Sequence, residues 1–267
     1  MKKVVIVGAT SGIGLNVAER LAADGMLVGI AGRKVEVMKE LQKKYPGRVF
    51  YSRIDVTDEK ASEHLRHLIR RMGGMDVYFH IAGIGYGNDE LEVDKEVATM
   101  QTNVVGFTRM VDTAFRYFRD ERAGFGQIAA ITSVAGTNGL GHLAAYSASK
   151  RFQQTYLRAL NQLATIQKLH IKFTDIRPGW IRTPLLDDDR NYPMIMQLPY
   201  AVPRIIRAMR RRRRVSVVDW RWNILVGLWR LIPNSLWVRL PVPVETIASR
   251  NQQHLNAAEA SYGDLQP

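Results

Sequence analysis

Tyr146 and Lys150 stand four residues apart in the stretch YSASK, with only small side chains between them. On a helix that spacing puts a phenol and an ammonium group on one face. A free tyrosine, with a pKa near ~10, is a poor proton donor or acceptor at neutral pH, and a neighbouring cation lowers that value by favouring the phenolate. A pair so tuned can hand a proton to a substrate oxygen. Taken alone, the same five residues also describe an ordinary helix with one half-exposed ring. Ser133, at the end of the run QIAAITS, and Asn103, in TNVVG, are two more hydrogen-bonding side chains that matter only if the fold gathers them. A second stretch with chemical content is GATSGIG (8–14), where an apolar run ends in closely spaced glycines. Gly8 permits a tight turn, Gly12 lets the backbone approach a ligand, and Gly14 allows a helix to pack closely on the strand. A helix starting there aims free N–H groups and a positive dipole end at an anion, most naturally a pyrophosphate.

The elements that must position these residues are legible in the hydrophobic pattern. VVIVG (4–8), MLVGIAG (26–32), RVFYSRID (48–55), MDVYFHIAG (75–83), QIAAITS (127–133), HIKFTDIRPG (170–179) and RVSVVD (214–219) read as strands, with helical periodicity between them. Strands apolar on both faces and alternating with helices predict an α/β fold, a doubly wound parallel sheet of about seven strands. No repeat or low-complexity linker interrupts the pattern. Residues 1–219 therefore read as one domain, with 185–213 as a substrate lid or packed core, and 220–267 as a basic, tryptophan-rich helical extension packed on the same domain.

The spacing Gly-x3-Gly-x-Gly, together with Tyr-x3-Lys, resembles the signature of the short-chain dehydrogenase/reductase family, whose fold is of the Rossmann type. The resemblance runs through residues 1–184 with specific motifs. It implies a tetrad of Asn103, Ser133, Tyr146 and Lys150 that interconverts a ketone and a secondary alcohol by hydride transfer. Tyr146 is then the acid/base, Lys150 tunes it and binds the nicotinamide ribose, Ser133 orients the substrate oxygen, and Asn103 holds a water in a relay from Lys150. The implied cofactor site is Gly8, Thr10, Ser11, Gly12, Ile13 and Gly14 of the turn, Asp55 and Val56 at the adenine, Ala82 and Gly83, the pair Tyr146 and Lys150, and Pro178, Gly179, Ile181 and Thr183 about the nicotinamide. At the end of the second strand AGRK lacks the acid that would bind a ribose 2′-hydroxyl, and Arg33 is placed for a 2′-phosphate, which favours NADP(H) over NAD(H). Thr57 or Asp58 would cap the next helix. In HIAG (80–83) His80 and Ile81 replace the family's two asparagines, and His80 reads as a hydrogen-bonded core residue, not a metal ligand.

The 46% hydrophobic and 24% charged content are those of a globular protein, and the absence of cysteine excludes disulfides and thiolate chemistry. The first apolar run is too short for a secretory signal, and no stretch suits a membrane span. The expected location is cytoplasmic. Of the net charge of +13, much sits in residues 190–240, which hold eleven Arg, no Lys and one acid, Asp219. This end reads as an anionic-membrane patch (204–240) at the inner face of a membrane, or as ordinary packed helices. Nucleic-acid binding is the weakest reading, because the aromatics alternate with aliphatics. The expected substrate is hydrophobic or lipid-like. The alternative function is a catalytically weak NADP-binding scaffold or regulator at a membrane. Phe152, Tyr156, Leu160 and Leu163 form an apolar stripe for a homo-oligomer, dimer or tetramer, or for the core.

Overall fold

The computed structural model describes residues 2–186 and 192–240. In chain order it runs β1 (Lys3–Val7), α1 (Gly12–Ala23), β2 (Leu27–Gly32), α2 (Val35–Lys44), β3 (Val49–Arg53), α3 (Ala61–Arg71), β4 (Val77–His80), α4 (Val93–Met100) and α5 (Phe107–Glu121). It continues with β5 (Phe125–Ile131), α6 (Ala144–Ile166), β6 (His170–Pro178), α7 (Leu198–Arg210), β7 (Val215–Val218), α8 (Trp220–Trp229) and α9 (Asn234–Trp237). All seven expected strands form, and they build one sheet in the order β3-β2-β1-β4-β5-β6-β7. Every pairing is parallel, so this is the doubly wound sheet the alternating pattern implies.

The period-two geometry of β1 explains why its run is apolar throughout. Val4 and Ile6 join one core with α1, α2, α7 and α8, while Val5 and Val7 join the other with α3, α5 and α6. Two expectations for the later chain resolve here. The second half of the anticipated lid is α7, whose Ala201, Val202, Ile205, Ile206 and Met209 are buried in the first core, so this segment packs as core. Residues 187–191 of that lid, and 241–267 of the extension, lie outside the described residues. In the stripe on α6, Leu160 is buried in the second core, Phe152 and Tyr156 pack against it, and Tyr156 stacks on Phe152 at 5.4 Å between ring centroids. Leu163 remains exposed.

The described part of the extension, residues 220–240, docks on the domain. Trp222 and Val226 of α8 are buried, the indole N–H of Trp237 donates to the Gly139 carbonyl at 2.7 Å, and Asn138 donates to the Trp229 carbonyl at 3.2 Å. Gly179 makes this docking possible: a Cβ there would stand 2.1 Å from the Trp222 ring. Among the described residues no helix is long and apolar enough to cross a membrane.

Candidate functional site

The sheet order sets β1 between β2 and β4, so the connections leaving β1 and β4 run to opposite faces. A crevice opens at the carboxyl ends of such strands, where parallel sheets of this kind receive ligands. The bend at residues 8–14 lies there. Gly8 has φ +93°, and a Cβ on it would stand 2.3 Å from the Ala82 nitrogen; a Cβ on Gly14 would stand 1.9 Å from the Gly8 carbonyl oxygen. Both positions demand glycine if the bend is to lie flat against β4. The first turn of α1 carries no acid, and Ser11, its N-cap, makes no side-chain cap bond, so the amides at this helix end remain available to a ligand.

A groove of about 190 Å³ runs from this bend. Thr10, Ser11, Gly12, Ile13 and Gly14 line it from the turn, Arg33 from the end of β2, Asp55 and Val56 from beyond β3, Ala82 and Gly83 from beyond β4, and Thr183 from beyond β6. A glycine-floored groove with unpaired amides at its centre and a guanidinium at one end fits the phosphates of a nicotinamide dinucleotide. Asp55 is partly committed locally. One carboxylate oxygen accepts from the Thr57 amide at 3.0 Å and the Thr57 hydroxyl at 2.7 Å. Desolvation pushes its pKa up, but these bonds and the charges of Arg33 and Arg53 outweigh that and hold it below the ordinary value. Thr57 and Asp58 therefore close turns ahead of α3 and do not cap it; the Asp58 carboxylate accepts from the Lys60 amide at 2.8 Å, and the N-cap itself is Lys60.

A second cavity of about 540 Å³ shares Ile13, Ile81, Gly83, Ile84 and Thr183 with the first, so the two form a continuous groove. Ser133, Tyr146 and Lys150 line it together with Pro178, Gly179 and Ile181. Ser133 comes just after β5 and accepts from the Ala135 amide at 3.1 Å, while its side chain hydrogen-bonds the Tyr146 phenol. Tyr146 and Lys150 occupy the first turns of α6. The start of α6 is held by Glu96 of α4, whose carboxylate accepts from the Ala145 amide at 2.9 Å and from Asn88 at 2.7 Å. An acid at a helix N-terminus satisfies a free amide and opposes the dipole, so Glu96 caps from another element the helix that carries the phenol.

The pair Tyr146 and Lys150 faces the groove, with the Lys150 Nζ 5.6 Å from the phenol ring centroid. Its electrostatics differ from the expectation. Burial pushes the Tyr146 pKa up, and the Ser133 hydrogen bond offsets this only in part, so the phenol is not lowered by its neighbour in this arrangement. The cation's hydrogen bonds are spent elsewhere: Nζ donates to the Ile131 carbonyl at 3.3 Å and to the Gln153 carbonyl oxygen at 3.2 Å. Burial pulls Lys150 down to about 8, with Asp175 opposing that fall. Asp175 is itself buried and accepts from the Arg177 guanidinium at 2.6 Å and the Thr132 hydroxyl at 2.6 Å.

Asn103 sits in a π-helical turn, Gln101–Gly106, between α4 and α5. Such widened turns recur at functional sites. The side-chain amide braces the strand end beyond β4, accepting from the Ile84 amide at 2.9 Å and donating to the Ile84 carbonyl at 2.7 Å. Gln153 bridges Asn103 and Lys150, the two residues of the expected relay. The Asn103 carbonyl accepts from Gln153 Nε2 at 2.9 Å, and the oxygen of that Gln153 amide receives Lys150. His80 is fully buried, hydrogen-bonded through Nδ1 to the Tyr78 hydroxyl at 2.8 Å and edge-on to Phe107, the core role expected of it.

Sequence reasoning missed Glu96, Gln153 and the part of the apolar wall that precedes Thr183. Ile84, Tyr86, Leu143, Trp180, Leu186 and Tyr192 complete the cavity, with Trp180 packed 4.7 Å from Tyr192 between ring centroids. The aromatic and Met content of the stretch after Thr183 pointed to Leu186 and Tyr192, whereas no motif singled out Ile84, Tyr86, Leu143 or Trp180. Nothing local marked Glu96 or Gln153, which act across the fold.

The sequence model of a family described as short chain dehydrogenase matches residues 2–192. An uncharacterised oxidoreductase of Mycobacterium tuberculosis is 30% identical over 247 residues, covering 88% of this chain and 95% of that protein. The 3-ketodihydrosphingosine reductase of Bacteroides thetaiotaomicron is 31% identical over 188 residues, covering 69% of this chain and 66% of that protein. Among solved structures, an actinorhodin polyketide ketoreductase with NADPH superposes with a TM-score of 0.62 at 28% identity, covering 69% of this chain and 72% of that one.

Proposed function

The chain belongs to the short-chain dehydrogenase family and is an oxidoreductase of that type, and from this premise we propose that it interconverts a ketone and a secondary alcohol on an apolar, lipid-like molecule with NADP(H). The observation that carries the reading is the convergence of Ser133, Tyr146 and Lys150 on the wall of a cavity continuous with the glycine-floored groove. When bound, the nicotinamide supplies or takes the hydride.

The chain's own residues bind, orient and handle the proton. The bend, the first amides of α1 and Arg33 hold the phosphates, and Arg33 is the residue placed to distinguish a 2′-phosphate from a hydroxyl. Ser133 donates to the substrate oxygen and fixes its position beside the phenol. Tyr146 gives its proton to that oxygen in reduction and recovers it in oxidation. A phenol pushed up by burial favours the protonated form, which suits the donor step. Lys150, protonated below about 8, holds positive charge beside the ring and so limits the cost of the phenolate left behind. Trp180, Tyr192, Leu143 and Ile84 exclude water and present apolar surface, which supports a hydrophobic substrate. The similarity to a 3-ketodihydrosphingosine reductase supports the lipid-like class.

The test is Tyr146→Phe, assayed with NADPH and a panel of long-chain ketones. Cofactor binding is retained and turnover falls by about 10²-fold or more, the scale of a lost general acid. Turnover near that of the unaltered protein refutes the assignment.

A further inference from the structure

Helix α8 carries apolar side chains on two opposite sides, with Arg221 and Asn223 between them, yet only one apolar side is covered. Trp222 and Val226 face the domain, and Trp222 packs on Gly179 and edge-on to Trp180, a wall of the substrate cavity, at 6.5 Å. On the other side Trp220, Ile224 and Leu228, each one helical turn beyond the last, are exposed at 67%, 57% and 56%, and Leu231 continues the stripe at 77%. A contiguous exposed apolar stripe marks an interaction surface, so this one calls for a partner.

The neighbouring surface identifies the partner's charge. Trp220 stands at the rim of a groove of about 270 Å³ that is also lined by Arg204, Arg207, Arg211 and Arg213. Arg204 lies flat on Tyr200, its guanidinium carbon 3.4 Å from the ring centroid. Arg210, on the adjoining position, pairs with Asp24 at 2.6 Å, and Arg221 pairs with Asp219 at 3.0 Å. Among the described residues no carboxylate pairs with Arg207, Arg211 or Arg213. The surface thus joins an uncompensated cluster of arginines to an apolar stripe headed by a tryptophan.

We propose that this groove and stripe dock the protein on an anionic lipid bilayer, with α8 lying in the interfacial plane. The arginines meet headgroup phosphates and carboxylates, Trp220 sits at headgroup level, and Ile224, Leu228 and Leu231 enter the acyl boundary. A nucleic acid would satisfy the arginines and leave the aliphatic stripe in water. A second copy would cover the stripe and bring its own unpaired arginines with it. A bilayer with anionic lipid satisfies both halves. Docking in this way sets the outer face of α8 on lipid while its inner face buttresses the wall of the substrate cavity. The inference needs no turnover and stands apart from the chemistry at Tyr146.

The experiment is co-sedimentation of the full chain with vesicles of phosphatidylcholine alone and of equal parts phosphatidylcholine and phosphatidylserine, at low and high salt. The full chain pellets with the mixed vesicles, does not pellet with phosphatidylcholine alone, and is released by salt. Arg211→Ser with Arg213→Ser lowers the partition coefficient about thirtyfold, at the usual worth of two basic residues near an anionic surface. Trp220→Ser with Ile224→Ser lowers it about tenfold or more. All four residues are exposed, so both double variants keep the fold, checked by an unchanged thermal unfolding curve. Equal sedimentation with both vesicles, none with either, or indifference to either double variant overturns the proposal. So does a solution dimer, measured without vesicles, that Trp220→Ser with Ile224→Ser dissociates, and so does duplex DNA that outcompetes the mixed vesicles.

Discussion

Gln153 couples two parts of the site that are fifty residues apart, and its replacement has a calculable consequence. The Lys150 ammonium donates to the Gln153 oxygen at 3.2 Å in a position where both side chains are buried, at 4% and 0% exposure. Leucine at this position fills similar space and accepts nothing. A hydrogen bond to a charged group contributes about 1.5–3 kcal/mol, and each pKa unit corresponds to about 1.36 kcal/mol, so the loss amounts to about one to two units. Lys150, already lowered to about 8 by burial, then releases its proton between about 6 and 7. Because the protonated amine is the form that supports Tyr146, the basic limb of the kcat/KM profile moves with it. The assay is kcat/KM for NADPH-dependent ketone reduction across pH 5 to 9.5, with cofactor binding measured separately by fluorescence. Gln153→Leu moves the basic limb down by about one to two units. Gln153→Glu moves it up, because a carboxylate stabilises the ammonium more than an amide does. The opposite signs separate tuning from general damage to the fold. Two variants with the same limb as the unaltered protein, or shifts in one direction, refute the role.

Three further outcomes rest on the same geometry. Lys150→Met abolishes turnover; between pH 8 and 10.5 the unfolded chain still holds a proton the native chain has released, so the unaltered protein gains about 3 kcal/mol of stability across that window and the variant does not, as denaturant titrations will read. His80 is kept neutral by burial down to about 3, so below pH 6.5 the unfolded chain binds a proton the native chain refuses and stability falls with pH; His80→Asn removes about 1.4 kcal/mol per pH unit of that slope between pH 5.5 and 4.5, measured by urea unfolding. Arg33→Ser raises KM for NADPH about tenfold or more and leaves KM for NADH unchanged, the size of one lost charge-assisted bond to phosphate; equal effects on both cofactors refute its role.

Local pattern carries much of this protein. The runs at 4–8 and 75–83 are apolar at nearly every position because both faces of the central strands are covered, and that is visible without coordinates. The glycines at 8 and 14 are demanded by the bend itself, and the four-residue interval between Tyr146 and Lys150 fixes their shared face on any helix. The identities of the candidate site residues are therefore written locally, each within a few residues of its neighbours.

What local pattern does not hold is how deeply each group is desolvated and what reaches it from another element. Tyr146 and Lys150 look like a phenol lowered by a cation; burial instead raises the phenol, lowers the amine, and sends the ammonium to Ile131 and Gln153. Glu96 comes from α4 to cap α6, a contact across forty-nine residues. Trp220 and Trp222 are near-identical in sequence setting, yet Gly179 receives one and water meets the other. Burial and partnership depend on which surfaces close over a residue, and that is settled only when the sheet, its helices and the terminal extension pack together.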